Sequence, residues 1–331
     1  MFNTHGSSPH APTGNVSTRH GFRDHQTMGQ GSEFDIIRQL MAQWGPLAVD
    51  IGDDAAVLPP LAAGRRVVST DACVEGVHFV REWLTPFEVG ARAAAAALSD
   101  LAAMGAAAEC VLVALVVPPS WESELAAVAD GLGDQVRRAG ARIVGGNLSR
   151  GATFALTLTV IGVAERAVPR GGAQVGDLVV VTGRLGGPGA ALEAFLGGAA
   201  PSGWARDRFA APQPRLREGQ ALADAGASAM VDISDGLAAD ARHVGAASGV
   251  VLQLDPARVP VGPGVSPANA LVSGEEYELL ATIAPAAFEA LAGRWAAVSG
   301  EPITVVGIVV APDDTHLPPK SLPGHDHFTT R

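Results

Sequence analysis

Four short acidic segments constrain this chain more than anything else in it. Ile51-Gly52-Asp53-Asp54, Ser69-Thr70-Asp71, Leu98-Ser99-Asp100 and Asp232-Ile233-Ser234-Asp235-Gly236 each sit at the edge of an apolar run. A fold that ends its regular elements in this way can aim the carboxylates into one cleft. Like charges repel strongly in a low-dielectric site, so such a cluster needs cations to hold it. Hard oxygen ligands suit Mg²⁺, and protein-bound Mg²⁺ usually serves phosphate groups.

The runs between these segments predict a mixed fold. Helices are expected at Asp35–Gln43, Pro86–Met104, Trp121–Ala139, Pro188–Phe195, Leu216–Ala225, Leu237–Ala247 and Ala286–Trp295, where apolar residues recur at helical spacing or alanine dominates. Strands are expected at Ala55–Leu58, Arg66–Ser69, Cys110–Val117, Arg142–Val144, Thr153–Val163, Leu178–Thr182, Ala229–Ile233, Val250–Leu254, Tyr277–Ile283 and Ile303–Val310. This is an α+β or α/β pattern in both halves. The 331 residues suffice for two domains. Residues 1–30 lack apolar periodicity and read as a disordered extension. A polar, glycine-rich stretch in Glu165–Asp177 divides the rest into residues 31–165 and 166–331.

Net charge is −11, which disfavours a nucleic-acid surface, since that would need a basic face. Any anionic ligand must then be held by metal ions, backbone N–H groups or a few placed arginines. The two cysteines, Cys73 and Cys110, lie in apolar stretches and read as buried reduced thiols, in keeping with a cytoplasmic setting. The most apolar window, Ala93–Val117, is broken by Asp100, Gly105 and Glu109, so it reads as a helix followed by a strand and not as a membrane span.

Each motif also has a plain structural explanation. Asp53 and Asp54 after Gly52 fit an Asx turn. Asp71 fits a cap on the turn that follows it, and Ser234 or Asp235 is a natural N-cap for the helix from Leu237. That helix start equally suits an anion or a Mg²⁺-phosphate group, and capping does not account for Asp232. Asp100, late in an apolar helix, opposes the helix dipole and needs a cation or a donor, an arginine being the ordinary one. Gly145-Gly146-Asn147 reads as a glycine turn able to line an anion nest. No Walker A or Rossmann glycine motif occurs.

Taken in order, these segments resemble the thiamine-monophosphate kinase family, within the superfamily of aminoimidazole ribonucleotide synthetase. The resemblance runs from about Ser32 to the C-terminus. It is carried by Ser32–Ile37, the first three acidic segments, Val74-Glu75-Gly76-Val77-His78-Phe79, Gly145-Gly146-Asn147, Val181-Thr182-Gly183, Asp232–Leu237, Ser273-Gly274-Glu275-Glu276-Tyr277-Glu278-Leu279 and Gly324–Phe328. It implies a two-domain aminoimidazole ribonucleotide synthetase-like fold whose N-terminal sheet pairs across a homodimer. That domain would bind ATP and several Mg²⁺ ions, and the C-terminal domain would complete the site.

The implied reaction is transfer of phosphate from ATP to thiamine monophosphate. Asp53, Asp54, Ser69, Thr70, Asp71, Asp100, Asn147, Asp232 and Asp235 would be Mg²⁺ ligands, directly or through water. Gly146, Asn147, Arg170 and Ser234 would touch ATP. His78, Glu275 and His325 would face thiamine monophosphate, with Glu275 offsetting the thiazolium charge or bonding the aminopyrimidine. A phosphate acceptor is largely dianionic near neutral pH, so positioning and charge neutralisation dominate and no general base is assigned.

Four positions depart from the family pattern: Asn147 replaces an aspartate, Ser273 and Glu276 replace glycine and aspartate, and His325 replaces an aromatic residue. A relative acting on another acceptor, and a nucleotide- or thiamine-phosphate-binding protein with weakened turnover, are the competing expectations.

Overall fold

The computed structural model describes residues 56–60 and 64–312. The extension at 1–30, the helix expected at Asp35–Gln43, and Asp53, Asp54 and His325 all lie outside the described residues. Two five-stranded sheets fall on either side of residues 165–177.

The first sheet contains β1 (Ala56–Pro60), β2 (Arg65–Val74), β3 (Ala107–Val117), β4 (Arg142–Arg150) and β5 (Ala155–Ala164), in the order β1-β2-β5-β3-β4. All pairs are antiparallel except β3 with β4. Its strands alternate as period-two geometry requires. Leu156, Leu158 and Val160 of β5 are buried, while Thr157, Thr159 and Ile161 between them are half-buried. The buried face packs on α1 (Pro86–Ala103), with α2 (Leu125–Arg138) alongside.

α1 starts at a capping box. Glu88 N–H donates to Thr85 Oγ1 and Thr85 N–H donates to Glu88 Oε2. Gly90 and Gly131 let the two helices touch, because a Cβ at Gly90 would strike the Val128 carbonyl and one at Gly131 the Phe87 carbonyl.

The second sheet contains β6 (Leu178–Thr182), β7 (Ala229–Asp232), β8 (Val251–Leu254), β9 (Leu279–Ile283) and β10 (Ile303–Val310), in the order β7-β9-β6-β10-β8. Every pair in it is antiparallel, which settles the fold as α+β. Around it lie α3 (Gly187–Leu196), α4 (Gly203–Ala210), α5 (Leu216–Ala225), α6 (Leu237–Ser248), α7 (Pro267–Val272) and α8 (Pro285–Ala292). Leu98 and Leu101 of α1 share one core with Leu222, Met230 and Leu279, so α1 belongs to both halves. No helix among the described residues is long and apolar enough to cross a membrane.

Several boundaries differ from expectation. The helix expected from Trp121 begins as a 3₁₀ turn over Pro119–Glu124 and becomes α-helical only at Leu125. Gly145-Gly146-Asn147 is not a turn but the middle of β4, which runs on to Arg150. A Cβ at Gly146 would collide with the Val113 carbonyl, so close strand pairing explains that glycine. The strand expected from Tyr277 begins at Leu279, because Glu275 (φ 57°) and Tyr277 (φ 51°) are left-handed. α4 and α7 are new; they span eight and six residues and begin at Ser202 and Ser266, whose hydroxyls accept the first-turn N–H groups.

Candidate functional site

One stripe of α1 joins the two halves. Ser69 Oγ in β2 donates to Asp100 Oδ2 at 2.5 Å. Ser99 Oγ donates to Asp232 Oδ2 at 2.6 Å, and Asp232 is the buried last residue of β7. Arg92 Nη2 lies 2.6 Å from Glu275 Oε2. Residues 92, 96, 99 and 100 fall on one helix face at i, i+4, i+7 and i+8. Asp100 therefore has a donor in the Ser69 hydroxyl.

The turn after β7 holds a correction. Neither Ser234 nor Asp235 caps α6: the N-cap is Gly236, with no side-chain bond. Instead Asp240, buried in the first turn of α6, reaches back and accepts from Ser234 N–H (3.1 Å) and Asp235 N–H (3.2 Å). Asp235, Asp240 and His243 offer ligand atoms within 4.8 Å of one another. Burial, and then the charges of Arg170 and Arg242, push the His243 imidazole down to about 4, so it is neutral at pH 7. Arg170, expected on the triphosphate, thus stands beside this acidic turn.

The loop Ser273–Glu278 is zipped to the same turn. Glu275 N–H donates to Ser234 O (2.7 Å), Tyr277 N–H to Ile233 O (3.0 Å) and Ile233 N–H to Glu278 O (2.8 Å). Below the loop, Thr182 Oγ1 (2.6 Å) and Arg215 Nε (2.7 Å) donate to Glu278, and Arg208 pairs with it too. Burial opposes the Glu278 charge, but Arg215 and Arg208 outweigh it and hold the carboxyl below its usual range. Glu276 Oε1 accepts from Gly186 N–H and the Ser273 hydroxyl, and Gly189 N–H donates to that same hydroxyl. Ser273 and Glu276 therefore act together, pinning the glycine-rich turn before α3. Burial raises the Glu276 carboxyl to about 8.

A cleft opens between the halves, lined by Asp71, His78, Arg92, Glu275 and Tyr277. It brings His78 and Glu275 together, as expected, and adds Asp71. His78 Nδ1 accepts from Val74 N–H (3.1 Å), which places the proton of the neutral ring on Nε2. The turn that carries His78 rests on Trp121, whose Nε1 donates to Glu75 (2.9 Å) and whose ring stacks on Phe154 at 4.3 Å.

Two expected ligands stand apart from this cluster. Thr70 points to the other face of β2, where Thr159 donates to its hydroxyl (3.2 Å). Asn147 aligns through Ala114 and Thr157 with Ala72, so it too lies on that face. It is three strand spacings from β2, roughly 14 Å. Gly146, level with Asp71 through Val113 and Leu158, is equally distant. Sequence reasoning missed Arg92, Ser99, Asp240 and His243. Only the Asp240–His243 pair, at helical i,i+3 spacing, left a readable signal.

Residues 52–164 match the AIR synthase related protein N-terminal domain and residues 174–317 its C-terminal domain. Thiamine-monophosphate kinase of Mycobacterium tuberculosis (strain CDC 1551 / Oshkosh) is 38% identical over 237 residues, covering 70% of this chain and 71% of that protein. The enzyme of that name from Bacillus subtilis (strain 168) is 31% identical over 296 residues, 84% of this chain and 91% of its own. Among solved structures, AaThiL complexed with AMPPCP and TMP superposes with a TM-score of 0.76 at 29% identity, over 85% of this chain and 91% of that one.

Proposed function

The chain belongs to the thiamine-monophosphate kinase family, and from that membership we propose that it phosphorylates thiamine monophosphate to thiamine diphosphate at the expense of ATP. The observation that carries this reading is that adjacent residues of α1 meet both halves, Asp100 accepting from Ser69 of β2 and Ser99 donating to Asp232 of β7, beside the His78–Glu275 cleft.

Asp71, Asp100, Asp232 and Asp235 would each offer a carboxylate oxygen of the kind Mg²⁺ prefers, with Ser69 as a further oxygen. Such ions, when bound, would neutralise the charge of the two polyanions brought together. The protein's own part is positioning. His78 and Glu275 orient thiamine monophosphate, and Ser234 and Arg170 meet the nucleotide at the start of α6. Asp53, Asp54 and His325 keep their proposed roles, as do Asn147 and Thr70 on the open face of the first sheet and Gly146 level with Asp71 on the other face. No side chain needs to take a proton from the acceptor phosphate.

The face of the first sheet left uncovered among the described residues supports a homodimer. Leu112 (38%) and Val116 (38%) are exposed there beside Thr70 and Ala72, and every residue of edge strand β4 is exposed. An apolar sheet face and an open edge of this kind favour a second copy of the chain. The setting proposed is the cytoplasm, where Cys73 and Cys110, both free thiols, stay reduced.

The test is product formation from ATP and thiamine monophosphate, with and without Mg²⁺. Thiamine diphosphate is expected only with the metal. A folded protein that makes none across a range of Mg²⁺ concentrations overturns the reading.

A further inference from the structure

Arg92 is the least accounted-for charge in the molecule. It lies on α1 among alanines and is 2% exposed. A buried guanidinium is costly unless paired and hydrogen-bonded. Arg92 donates to the Phe209 carbonyl and sits over the Phe209 ring, 4.5 Å from its centroid. Neither contact supplies a negative charge. Among the described residues its ion-pair partner is Glu275, which belongs to the other half of the molecule and whose side chain stays 37% exposed. Glu275 and Tyr277 hold left-handed backbone that such residues rarely adopt, so their loop needs outside support. Both residues and Arg92 line the same cleft.

We propose that Arg92 is a positioning residue for thiamine monophosphate: it fixes Glu275 across the junction of the two halves and supplies its counter-charge. Glu275 then serves the substrate as an oriented hydrogen-bond acceptor and not as the counter-ion of the thiazolium. Its negative charge is already matched by a buried partner 2.6 Å away, which leaves little for a second cation. This inference rests on the kinase reading above and assigns Arg92 a part in it.

The experiment compares kcat, the KM of each substrate, and calorimetric Kd for thiamine monophosphate alone, in the wild type, Arg92→Met, Arg92→Lys, Glu275→Gln, Glu275→Ala and the Arg92→Met/Glu275→Gln pair. Arg92→Met should raise KM and Kd for thiamine monophosphate about 30-fold and shift KM for ATP less than about 2-fold. Arg92→Lys should recover most of that loss. In the Glu275→Gln background, Arg92→Met should add less than about 2-fold. Glu275→Gln, which keeps an acceptor oxygen, should cost under about 5-fold, and Glu275→Ala about 30-fold.

Equal losses for both substrates, or additive effects in the pair, overturn the role of Arg92. Should Arg92→Met fail to fold, the Glu275 variants decide: equal losses for Gln and Ala mean that charge, not acceptance, is what the substrate reads, and the proposal falls. A wild type that makes no thiamine diphosphate removes the kinase reading itself. A wild type that makes it, with unselective variants, removes only Arg92.

Discussion

The two sheets have the same number of strands and opposite fates. In the second sheet β9 is buried at every position, with helices and neighbouring strands closing both faces. In the first, β4 is exposed at every position and the face bearing Thr70 and Leu112 has no cover among the described residues. Among the described residues, one sheet is covered on both faces and the other on one face only. Strand count therefore says little about how finished a domain is. What matters is whether the second set of alternating side chains finds a layer to meet.

The largest test of that contrast places a charge in each sheet. Ala281→Glu buries an unpaired carboxylate in β9, and an uncompensated buried charge costs about 3–5 kcal/mol or more. Little soluble folded protein is expected, as circular dichroism would report. Leu112→Glu, on the open face, should leave the thermal midpoint nearly unchanged and yield monomers in sedimentation. If it stays dimeric, the open face is not where the second copy sits.

Next comes the buried pairing beneath the second sheet. Glu278→Ala removes the buried carboxylate that Arg215 and Arg208 share, and should lower stability by about 3–5 kcal/mol in urea unfolding. Glu122→Ala, which breaks the exposed Arg150–Glu122 pair beside the first sheet, should cost less than about 1 kcal/mol. Similar losses would mean that the Glu278 network carries no special weight.

Adjacent residues of β2 sharpen the comparison within one strand. Asp71→Asn, on the helix-covered face, should lower kcat/KM about 100-fold, and Thr70→Val, which removes a neutral oxygen on the open face, about 10-fold. An unchanged kcat/KM in Thr70→Val would remove the Thr70 hydroxyl from the metal site.

The last comparison is one of pH. The Glu276 carboxyl, buried and raised to about 8, keeps a proton that the unfolded chain gives up near 4.5. The native state therefore binds more protons between those values, and stability falls as pH rises through them, by at most about 1.4 kcal/mol per pH unit. Glu276→Gln should flatten that slope between pH 5 and pH 8, giving a smaller fall in urea midpoint than in the wild type. Parallel profiles would show that Glu276 is ionised throughout.

Much of this was legible in the sequence, and the boundary of legibility is physical. Periodicity placed most strands and the longer helices within a few residues, because each follows from local alternation or helical spacing. It also put Asp100 and Asp232 near the ends of the right elements, whereas β2 runs three residues past Asp71. It does not show which face of β2 each residue takes, and Thr70 and Asp71 lie on opposite ones. Nor did it show that Gly146 lies inside a strand, since two glycines look the same in a turn and beneath a neighbouring carbonyl. The pairs Ser99–Asp232 and Arg92–Glu275 join residues more than 130 positions apart, and no local pattern records them. Arg92 was hidden by its neighbours: within an alanine run it reads as one more good helix former.

α1 carries its contacts to both halves on a single stripe, and the consequence lies in phase rather than in chemistry. Much of the helix is alanine, and many of its positions would accept another small residue. Its register accepts almost nothing. Inserting one residue between Arg92 and Ser99 would rotate everything after it by about 100° relative to Glu275's partner and lengthen the span by about 1.5 Å. Asp100 would then turn from Ser69, and Ser99 from Asp232, while every side chain stayed chemically intact. In this chain the length of one helix is as much a part of the site as the carboxylates it serves.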